Sequence, residues 1–476
     1  MDKFQILKEV FGYDSFREGQ ELLIDSIHIG RDVLGIMPTG AGKSICFQIP
    51  ALLSEGITIV VSPLISLMID QVRALNDAGV HAAYINSALT ERQIDKALEN
   101  ARCGVYKIIY VAPERLLTDS FLMFAMNAEI ELLAVDEAHC ISQWGQNFRP
   151  SYLKIVEFIE RMPVRPTIAA FTATATKIVK EDIEAILGLS DPVVALTGYN
   201  RENLFFSVVK PQKKMDSLIE YLGENRKKSG IIYCNTRNMV EDVYDKLLEN
   251  GFPITRYHAG LSDRERMDNQ NKFIYDEIPL MVATNAFGMG IDKSNVRFII
   301  HYNMPKDIES YYQEAGRAGR DGLDAECILF YSGQDVRVNE FLISKQSERS
   351  ELSYEDRKAV VEKEQERLRK MTFYCVTHDC LRDYILKYFG EYGSAYCGSC
   401  SNCLTKFEEV DVSKEAGILF HLIKTSRERY GASIIADAAY GSNNEKIRRY
   451  GLDKNSYYGL LSNEKVFKIR QIINEL

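Results

Sequence analysis

Short apolar segments alternate with longer amphipathic segments along residues 32–332. The apolar segments predicted as strands are 32–37, 57–62, 107–112, 131–136, 167–172, 230–235, 254–259, 280–285, 297–302 and 327–332. Apolar strands separated by segments long enough for a helix are typical of parallel sheets with crossover helices. The pattern therefore predicts an α/β fold with two tandem parallel-sheet domains that meet near residues 197–204.

The strand pattern ends at about residue 335. Residues 336–372 are charged and helix-prone, a cysteine-rich segment follows, and the last part of the chain is more basic. Domains usually contain about 100–200 residues, so a chain of 476 residues is expected to form two to four of them. We predict domains at 1–200, 201–335, 336–408 and 409–476.

Composition argues against a membrane protein. No apolar run approaches the ~20 residues of a membrane span, and the first residues, MDKFQILKEV, lack a secretory signal. We expect the chain in the cytoplasm, associated with the nucleoid if it is bacterial, and without a membrane partner. The net charge of −9 disfavours a basic surface overall but permits a locally basic groove.

A phosphate-binding loop is predicted at residues 37–44, MPTGAGKS, between a strand and a helix. Backbone N–H groups of such a loop wrap phosphates, and the helix N-terminus adds positive potential. Lys43 is expected to reach the β- and γ-phosphates of ATP, and Ser44 to bind Mg²⁺. The simpler interpretation is a glycine-rich turn with a surface lysine, since Met37 replaces the first glycine of the usual pattern. The other loop residues assigned to nucleotide binding are Thr39, Gly40 and Gly42.

Asp136 and Glu137 begin the sequence DEAH at the end of a strongly apolar strand. In a parallel sheet this position lies at the carboxyl edge, where phosphate loops converge. Asp136 is expected to hold Mg²⁺ and Glu137 to polarise the attacking water, because phosphoryl transfer depends on positioning and charge stabilisation. Alone, the two residues also fit the start of a solvated helix; their place downstream of the phosphate loop favours the catalytic interpretation.

Arg317 and Arg320 belong to the sequence QEAGRAGR in the second predicted sheet domain. If this segment is helical, their spacing puts both side chains on one face. A guanidinium brought across a cleft stabilises charge on the transferring γ-phosphoryl group. We therefore assign both arginines to catalysis; the alternative is an exposed basic helix.

Four cysteines have the spacing C-x16-C-x2-C-x2-C and predict a structural Zn²⁺ site. They are Cys380, Cys397, Cys400 and Cys403. Four thiolates with two short spacings suit tetrahedral zinc, and a site closed by four protein ligands is structural. A disulfide is the alternative, though not the expected one in a cytosolic chain. Cys375 has no paired spacing, and His378 is a weaker substitute ligand.

Trp144 is the single tryptophan of the chain and follows the DEAH sequence closely. Phe148 and Arg149 lie beside it in the segment 141–150, ISQWGQNFRP. Aromatic side chains stack on unpaired bases with about 1–3 kcal/mol per base. The segment therefore predicts a contact with single-stranded nucleic acid; the alternative is that both rings are buried packing.

Together these segments resemble the RecQ family of DNA helicases, whose phosphate loop has the same Met as Met37. The further segments that carry the resemblance are FGYDSFREGQ (11–20), SPLISLMIDQV (62–72), APERL (112–116), FTATAT (171–176), YCNTR (233–237), YHAGL (257–261) and ATNAFGMGIDK (283–293). The resemblance implies two RecA-like lobes, a small helical zinc-binding subdomain and a partial winged-helix domain. It also implies ATP-dependent 3′→5′ translocation on single-stranded DNA and unwinding of partly duplex DNA in repair and recombination, with a single-strand-binding protein as a further partner.

The resemblance also implies roles for individual residues. Tyr13 would stack on adenine, Gln20 would bond its edge, and Arg17 would assist. The residues implied in DNA binding and its coupling to hydrolysis are His139, Trp144, Phe148, Arg149, Thr172 and Thr174. The family commonly has His-Asp where this chain has Gln146 and Asn147, so we expect a different strength or pH dependence of this coupling.

Residues 410–476 resemble the start of the family's winged-helix domain. Arg448, Arg449 and Lys454 are candidates for phosphate contacts or for an ordinary solvated surface. The sequence stops where the family continues into a β-hairpin wing, so weaker duplex contact and weaker unwinding are expected. Three alternatives stay open: an RNA helicase, a DNA translocase or annealing factor that does not unwind, and a non-catalytic protein on a helicase scaffold.

Overall fold

The computed structural model describes residues 2–145, 148–288, 293–348, 354–406 and 410–475, with the backbone alone at 346–348, 354–356 and 474–475. The chain divides into two compact units, residues 1–405 and 406–476. Among the helices described, none is both long enough and apolar enough to cross a membrane.

The first lobe of the first unit is built on a seven-stranded sheet. Its strands are β1 Val33–Ile36, β2 Ile57–Val61, β3 Ala82–Ile85, β4 Ile108–Val111, β5 Ile130–Val135, β6 Thr167–Thr172 and β7 Val193–Leu196. Their order is β3-β4-β2-β5-β6-β1-β7, and every pairing is parallel. The helices of this lobe are α1 Lys3–Glu9, α2 Gln20–His28, α3 Lys43–Leu53, α4 Ile65–Asp77, α5 Glu91–Arg102, α6 Asp119–Ala125, α7 Leu153–Arg161 and α8 Lys177–Ile186.

Both faces of this sheet are buried under helices. Along β1, Leu34 and Ile36 belong to the core that contains Phe121 of α6, whereas Val33 belongs to a second core with Phe47 of α3. A strand covered on both faces has no solvent-facing positions, which explains why its sequence is a continuous apolar run.

The second lobe contains a six-stranded parallel sheet. Its strands are β8 Leu204–Val209, β9 Ser229–Tyr233, β10 Ile254–Tyr257, β11 Leu280–Ala283, β12 Val296–His301 and β13 Ala325–Phe330, in the order β10-β11-β9-β12-β13-β8. The helices of this lobe are α9 Lys214–Glu224, α10 Arg237–Glu249, α11 Asp263–Ile274 and α12 Ile308–Ala315. The predicted pair of parallel-sheet domains is therefore confirmed.

Three described strands were missing from the sequence prediction: β3, β7 and β8. All three lie at the edge of a sheet. An edge strand has one neighbour and less burial; in β7 only Ala195 is fully buried. The sequence of β7, VVAL, is nevertheless apolar, so its weaker burial does not show in its composition.

The strand register gathers the loops of the first lobe at one edge. Ile36 pairs with Thr172, and Val61 pairs with Val135. The chain segments that follow β1, β5 and β6 therefore leave the sheet side by side, which is where ligand sites form in open parallel sheets.

Helices follow the second sheet, as predicted for residues 336–372. They are α13 Gly333–Glu348, α14 Tyr354–Val376, α15 Leu381–Tyr388 and α16 Ser401–Leu404. This helical region packs on the second lobe at its edge strand, where Cys400 forms a backbone bridge with Phe206 of β8.

Among the described residues of the second unit, every regular element is a helix. Its helices are α17 Ser413–Thr425, α18 Ala432–Tyr440, α19 Glu445–Arg449 and α20 Val466–Glu475. Leu419, Leu422, Ile435 and Ile469 form the centre of its own core. Arg448, Arg449 and Lys454 are exposed on this unit.

Candidate functional site: a cleft between the two lobes

A cavity of about 500 Å³ lies between the phosphate loop of the first lobe and the second lobe. It is lined by all twelve residues that the sequence assigned to nucleotide binding or catalysis: Tyr13, Arg17, Gln20, Thr39, Gly40, Gly42, Lys43, Ser44, Asp136, Glu137, Arg317 and Arg320. These residues come from four separate parts of the chain, so only the fold brings them together. We call this cavity the interlobe cleft.

The phosphate loop has the geometry that its glycines allow. Gly40 and Gly42 have φ angles of +85° and +80°, a region that other residues rarely adopt, and α3 begins at Lys43. The Lys43 Nζ donates to the carbonyl of Met37 at 3.1 Å, which holds the ammonium over the loop. Burial lowers the pKa of Lys43, while the nearby carboxylates of Glu137 and Asp136 oppose this shift.

The acidic pair stands at the carboxyl end of β5, as predicted. Burial, followed by the charge of Glu137, raises the pKa of Asp136 to about 7. Glu137 has φ of +47°, a strained conformation for a residue with a side chain, and such strain clusters at functional sites. The carboxylate of Asp136 and the hydroxyl of Ser44 both line the interlobe cleft, and hard oxygen donors of this kind fit Mg²⁺.

The two arginines do not lie on a helix, contrary to the helical arrangement considered for them. Helix α12 ends at Ala315, and Gly316 begins a series of turns that carries Arg317 and Arg320. We call residues 316–320 the arginine turn. Glycines at 316 and 319 disfavour a continued helix. Both side chains still line the interlobe cleft, and Arg317 is 5 % exposed.

Arg201 was missed by the sequence analysis, although it ties the arginine turn to the phosphate loop. Its guanidinium donates to the carbonyl of Thr39 at 3.2 Å and to those of Ala318 and Gly319 at 3.1 and 2.8 Å. The residue lies in the 197–204 segment that was interpreted only as a domain boundary. No periodic or motif signal marks it. Gln71, Ser294, Gln313 and Asp321 are further lining residues without an earlier assignment.

The N-terminal segment closes one end of the interlobe cleft. The Gln20 amide donates to the carbonyls of Ala41 and Gly42 at 2.9 and 3.2 Å, and its oxygen accepts from the Arg17 backbone at 2.8 Å. The Arg17 guanidinium donates to the Gly40 carbonyl. Gln20 and Arg17 thus brace the phosphate loop, whereas Tyr13 is half exposed and free to stack on a planar ligand.

The residues assigned to DNA binding and coupling divide into two groups. His139, Thr172 and Thr174 are buried, and the His139 Nδ1 lies 2.8 Å from the Thr172 hydroxyl and 3.3 Å from a Glu137 carboxylate oxygen. Their burial suits them to transmit a change between Glu137 and the loop after β6, and keeps them from direct contact with DNA. The other group comprises Trp144, Phe148 and Arg149.

The segment 141–150, which we call the aromatic loop, carries this second group. Trp144 is 45 % exposed, whereas Phe148 is half-buried, and Arg149 donates to the Pro63 carbonyl at 2.8 Å. Trp144 is therefore the ring available for stacking. Gln146 and Asn147 lie outside the described residues.

The four predicted zinc ligands form one cluster. The Sγ atoms of Cys380, Cys397, Cys400 and Cys403 all lie within 4.8 Å of one another. A tetrahedral zinc with bonds of about 2.3 Å places its sulfurs ~3.8 Å apart, so the cluster fits the metal closely. All ten cysteines are described and none forms a disulfide. Neither Cys375 nor His378 belongs to this cluster among the described residues.

Comparison with known proteins agrees with this arrangement of lobes and cysteines. The chain matches four family models: DEAD/DEAH box helicase over residues 17–182, helicase conserved C-terminal domain over 213–322, RecQ zinc-binding over 333–404 and RQC domain over 406–476. It is 46 % identical to the ATP-dependent DNA helicase RecQ of Bacillus subtilis (strain 168), over 99 % of this chain and 78 % of that protein. The chain belongs to the RecQ family of helicases. The RecQ protein of Pasteurella multocida (strain Pm70) is 39 % identical, over 99 % of this chain and 73 % of that protein.

Solved structures with similar folds are more distant in sequence. Dbp5 of S. cerevisiae, solved with RNA and ADP BeF3, has a TM-score of 0.58 at 18 % identity, over 76 % of this chain and 97 % of that one. The DUF1998 helicase MrfA, solved with DNA, has a TM-score of 0.59 at 16 % identity, over 83 % of this chain and 56 % of that one. These similarities support the RecA-like fold of the two lobes, which the resemblance to RecQ proteins had implied.

Proposed function

We propose that this RecQ-family protein is an ATP-dependent DNA helicase that moves 3′→5′ on single-stranded DNA and separates duplexes in repair and recombination. The observation that carries the proposal is the interlobe cleft, because residues from both lobes converge on one cavity. A site divided between two lobes changes shape when the lobes move, which is what a motor requires. The polarity and the pathway rest on the family resemblance alone.

In the proposed hydrolysis, each cleft residue acts on charge or on position. Lys43 and the N–H groups of the phosphate loop bind the β- and γ-phosphates, and Glu137 orients the attacking water. Mg²⁺, held by Ser44 and Asp136, supplies charge neutralisation of the phosphates when bound. Arg317 and Arg320 stabilise charge on the γ-phosphoryl group from the second lobe.

Closure of the lobes links this chemistry to movement. Arg201 donates to carbonyls of both the phosphate loop and the arginine turn, so the distance between these segments affects its hydrogen bonds. Nucleotide in the interlobe cleft favours the closed arrangement, because the arginines then reach the γ-phosphate. Hydrolysis removes that contact and the lobes separate. The two lobes therefore bind the DNA strand tightly in alternation, and the protein moves along it.

The aromatic loop provides the proposed contact with single-stranded DNA. Trp144 offers an exposed ring, and the buried His139, the last residue of the DEAH sequence, contacts the Thr172 hydroxyl at the end of β6. A base stacked on Trp144 would therefore act on the same structural element that carries Glu137. A single-strand-binding protein is a further proposed partner, and the cytoplasm or nucleoid the proposed location.

A zinc ion is proposed to stabilise the helical subdomain through Cys380, Cys397, Cys400 and Cys403. Four cysteine ligands leave no open coordination position on the metal. The metal therefore has a structural role and takes no part in ATP hydrolysis.

The test is ATP-dependent displacement of a labelled strand from a duplex with a 3′ single-stranded tail, with hydrolysis measured on the same DNA. The wild-type protein should do both, and a 5′-tailed duplex should be a poor substrate. A second experiment tests the nucleotide site. Lys43→Ala should abolish hydrolysis and displacement while single-stranded DNA still binds. Lys213→Ala, which removes a lysine with an 80 % exposed side chain, is the matched control. Hydrolysis without displacement would reject unwinding in favour of translocation, and stimulation by RNA alone would reject DNA as the substrate.

A further inference from the structure

Helix α14 contacts the aromatic loop, although the two are more than 200 residues apart in sequence. The Lys363 Nζ lies 3.0 Å from the centroid of the Trp144 ring, and the Arg367 guanidinium donates to the Trp144 carbonyl. A base that stacks on the ring face under Lys363 must displace this ammonium. One cation of α14 therefore covers the ring proposed to sense DNA, and a second binds the backbone of the same residue.

Arg367 also lies beside the start of α12. Its Nε is 3.9 Å from a carboxylate oxygen of Glu309, which is too long for a hydrogen bond, while its Nη1 donates to Glu364 at 2.9 Å. The same Glu309 oxygen accepts from the Tyr388 hydroxyl at 2.6 Å. The guanidinium thus stands between the aromatic loop and a buried carboxylate.

That carboxylate is incompletely paired. Among the described residues, the second oxygen of Glu309 and the Oδ2 of Asp307 have no hydrogen-bond partner, and both side chains are at most 8 % exposed. A buried carboxylate oxygen without a donor is unfavourable. Because a guanidinium has five N–H donors, Arg367 has a second favourable position within reach if it releases Trp144.

Glu309 belongs to the element that leads to the arginine turn. Asp307 caps α12 by accepting from the Ser310 backbone at 2.6 Å, and α12 ends at Ala315, directly before the turn. Nearly all residues of α12 are buried, so the helix responds to a force at its start as a unit. A shift of Glu309 would therefore move the end of α12, where the arginine turn begins.

We propose that Arg367 is a positioning residue with two alternative partners, which couples a base stacked on Trp144 to the arginine turn. When DNA draws the aromatic loop away from α14, the guanidinium leaves the Trp144 carbonyl and binds Glu309 and Asp307, and α12 adjusts the arginines. The inference rests on the proposed function, since it explains how DNA stimulates hydrolysis.

Trp144 is the single tryptophan, so intrinsic fluorescence reports the aromatic loop directly. We would compare the wild-type protein with Arg367→Ala, and use Arg369→Ala, at an exposed position of the same helix, as the matched control. The measurements are Trp144 emission, affinity for a deoxythymidine oligonucleotide, and kcat for ATP with and without that oligonucleotide. Arg367→Ala should shift the emission before DNA is added and keep the DNA affinity. Its ratio of stimulated to basal kcat should fall by about five-fold or more, the scale of a typical coupling.

Arg367→Lys makes the test independent of a packing defect. Lysine keeps the charge and most of the stem but lacks the guanidinium fork, so it cannot bind both positions equally well, and the ratio should fall here too. An unchanged ratio in both variants, with wild-type hydrolysis stimulated by DNA, would overturn this inference alone. Wild-type hydrolysis that DNA does not stimulate would overturn the proposed function as well.

Discussion

The side chain of Arg320, from the second lobe, packs against Gly40 of the phosphate loop in the first. A β-carbon at position 40 would lie 3.2 Å from the Cγ of Arg320 and 3.6 Å from its Cδ. Gly40 also has φ of +85°. A side chain at this position would therefore both crowd Arg320 and strain the backbone. The space above this glycine sets how closely the arginine turn approaches the phosphate loop.

Gly40→Ala should therefore impair hydrolysis beyond its effect on stability. The matched control is Gly79→Ala, because Gly79 has nearly the same φ of +81° but nothing within 4 Å of its β-carbon position. Both variants should lose about 1–2 kcal/mol of unfolding free energy from backbone strain, measured by urea denaturation. Only Gly40→Ala should lose kcat, by about 10- to 100-fold, since small misplacements of catalytic groups have large effects. Equal kcat in the two variants would refute this account of Gly40.

Arg201→Ala should lower kcat for ATP with a smaller change in KM. Its guanidinium donates to the carbonyl of Thr39 in the phosphate loop and to those of Ala318 and Gly319 in the arginine turn. Removal therefore loosens the link between the two segments, whereas Arg17 and Gln20 still brace the phosphate loop. Arg201→Lys should not restore kcat, because one ammonium cannot reproduce the fork. Arg31→Ala, at an exposed pair with Asp191 outside the interlobe cleft, is the control, and equal steady-state kinetics for it and Arg201→Ala would contradict the assignment.

Cys397→Ser should remove the metal from the helical subdomain. A serine hydroxyl is a poor zinc ligand, and the remaining three sulfurs leave the site open. Metal analysis of the purified protein should fall from one equivalent to well below one, and thermal unfolding should begin earlier. Cys103→Ser, at an exposed cysteine outside the cluster, should retain the full metal content. A full equivalent of zinc in Cys397→Ser would refute this ligand set.

The central strands and the interlobe cleft followed from the sequence because local pattern and topology determine both. Buried strands such as β1 and β5 are apolar runs, and parallel pairing puts the residues after them at one edge. The sequence alone therefore predicts that Lys43 and Asp136 meet at that edge. Edge strands such as β7 were missed although the sequence of β7, VVAL, is apolar, so apolar content alone did not identify them.

Contacts between distant side chains were beyond the reach of sequence patterns. Arg201 lies in a segment that the sequence indicates only as a domain boundary, and Arg367 lies in one that it indicates only as a charged helix. The partners of both side chains depend on how the helices and lobes pack. The placement of Arg317 and Arg320 on turns shows the same limit, since two glycines end α12 where charge spacing alone allowed a helix.

Asp32→Ala should destabilise the first lobe strongly. The Asp32 carboxylate is 3 % exposed, forms a bidentate pair with Arg165, and accepts from the backbones of Ile168 and Ser190 at 2.8 Å each. Its removal leaves these donors unpaired, with an expected loss of about 3–5 kcal/mol in unfolding free energy. Asp191→Ala removes a carboxylate with a 96 % exposed side chain, and its loss should stay below about 1 kcal/mol. If Asp32→Ala and Asp191→Ala lost similar unfolding free energy in urea denaturation, burial of the Asp32 carboxylate would not account for its contribution to stability.

Glu309→Gln should stabilise the protein at alkaline pH. Burial, followed by the charge of Asp307, raises the pKa of Glu309 from an ordinary 4.5 to about 7, while Arg367 and the Tyr388 hydroxyl oppose the shift. The folded state therefore holds a proton that the unfolded state releases. The stability contributed by this proton is complete below pH 4.5 and is lost as the pH rises through about 7.

The amide in Glu309→Gln stays neutral and so imitates the protonated acid at every pH. The melting temperatures of variant and wild type should be close at pH 5 and diverge at pH 8, where the variant should melt higher. The groups that act on Glu309 are the charges of Asp307 and Arg367 and the Tyr388 hydroxyl, and Lys306 and Glu364 are ion-paired with Asp307, Arg367 or each other. Glu366→Gln is the control, because the pKa of exposed Glu366 is lowered by its hydrogen bond to Lys370, and its loss should bring no gain at pH 8. A variant that melts below the wild type at pH 8 would mean that Arg367 already compensates the Glu309 charge in full.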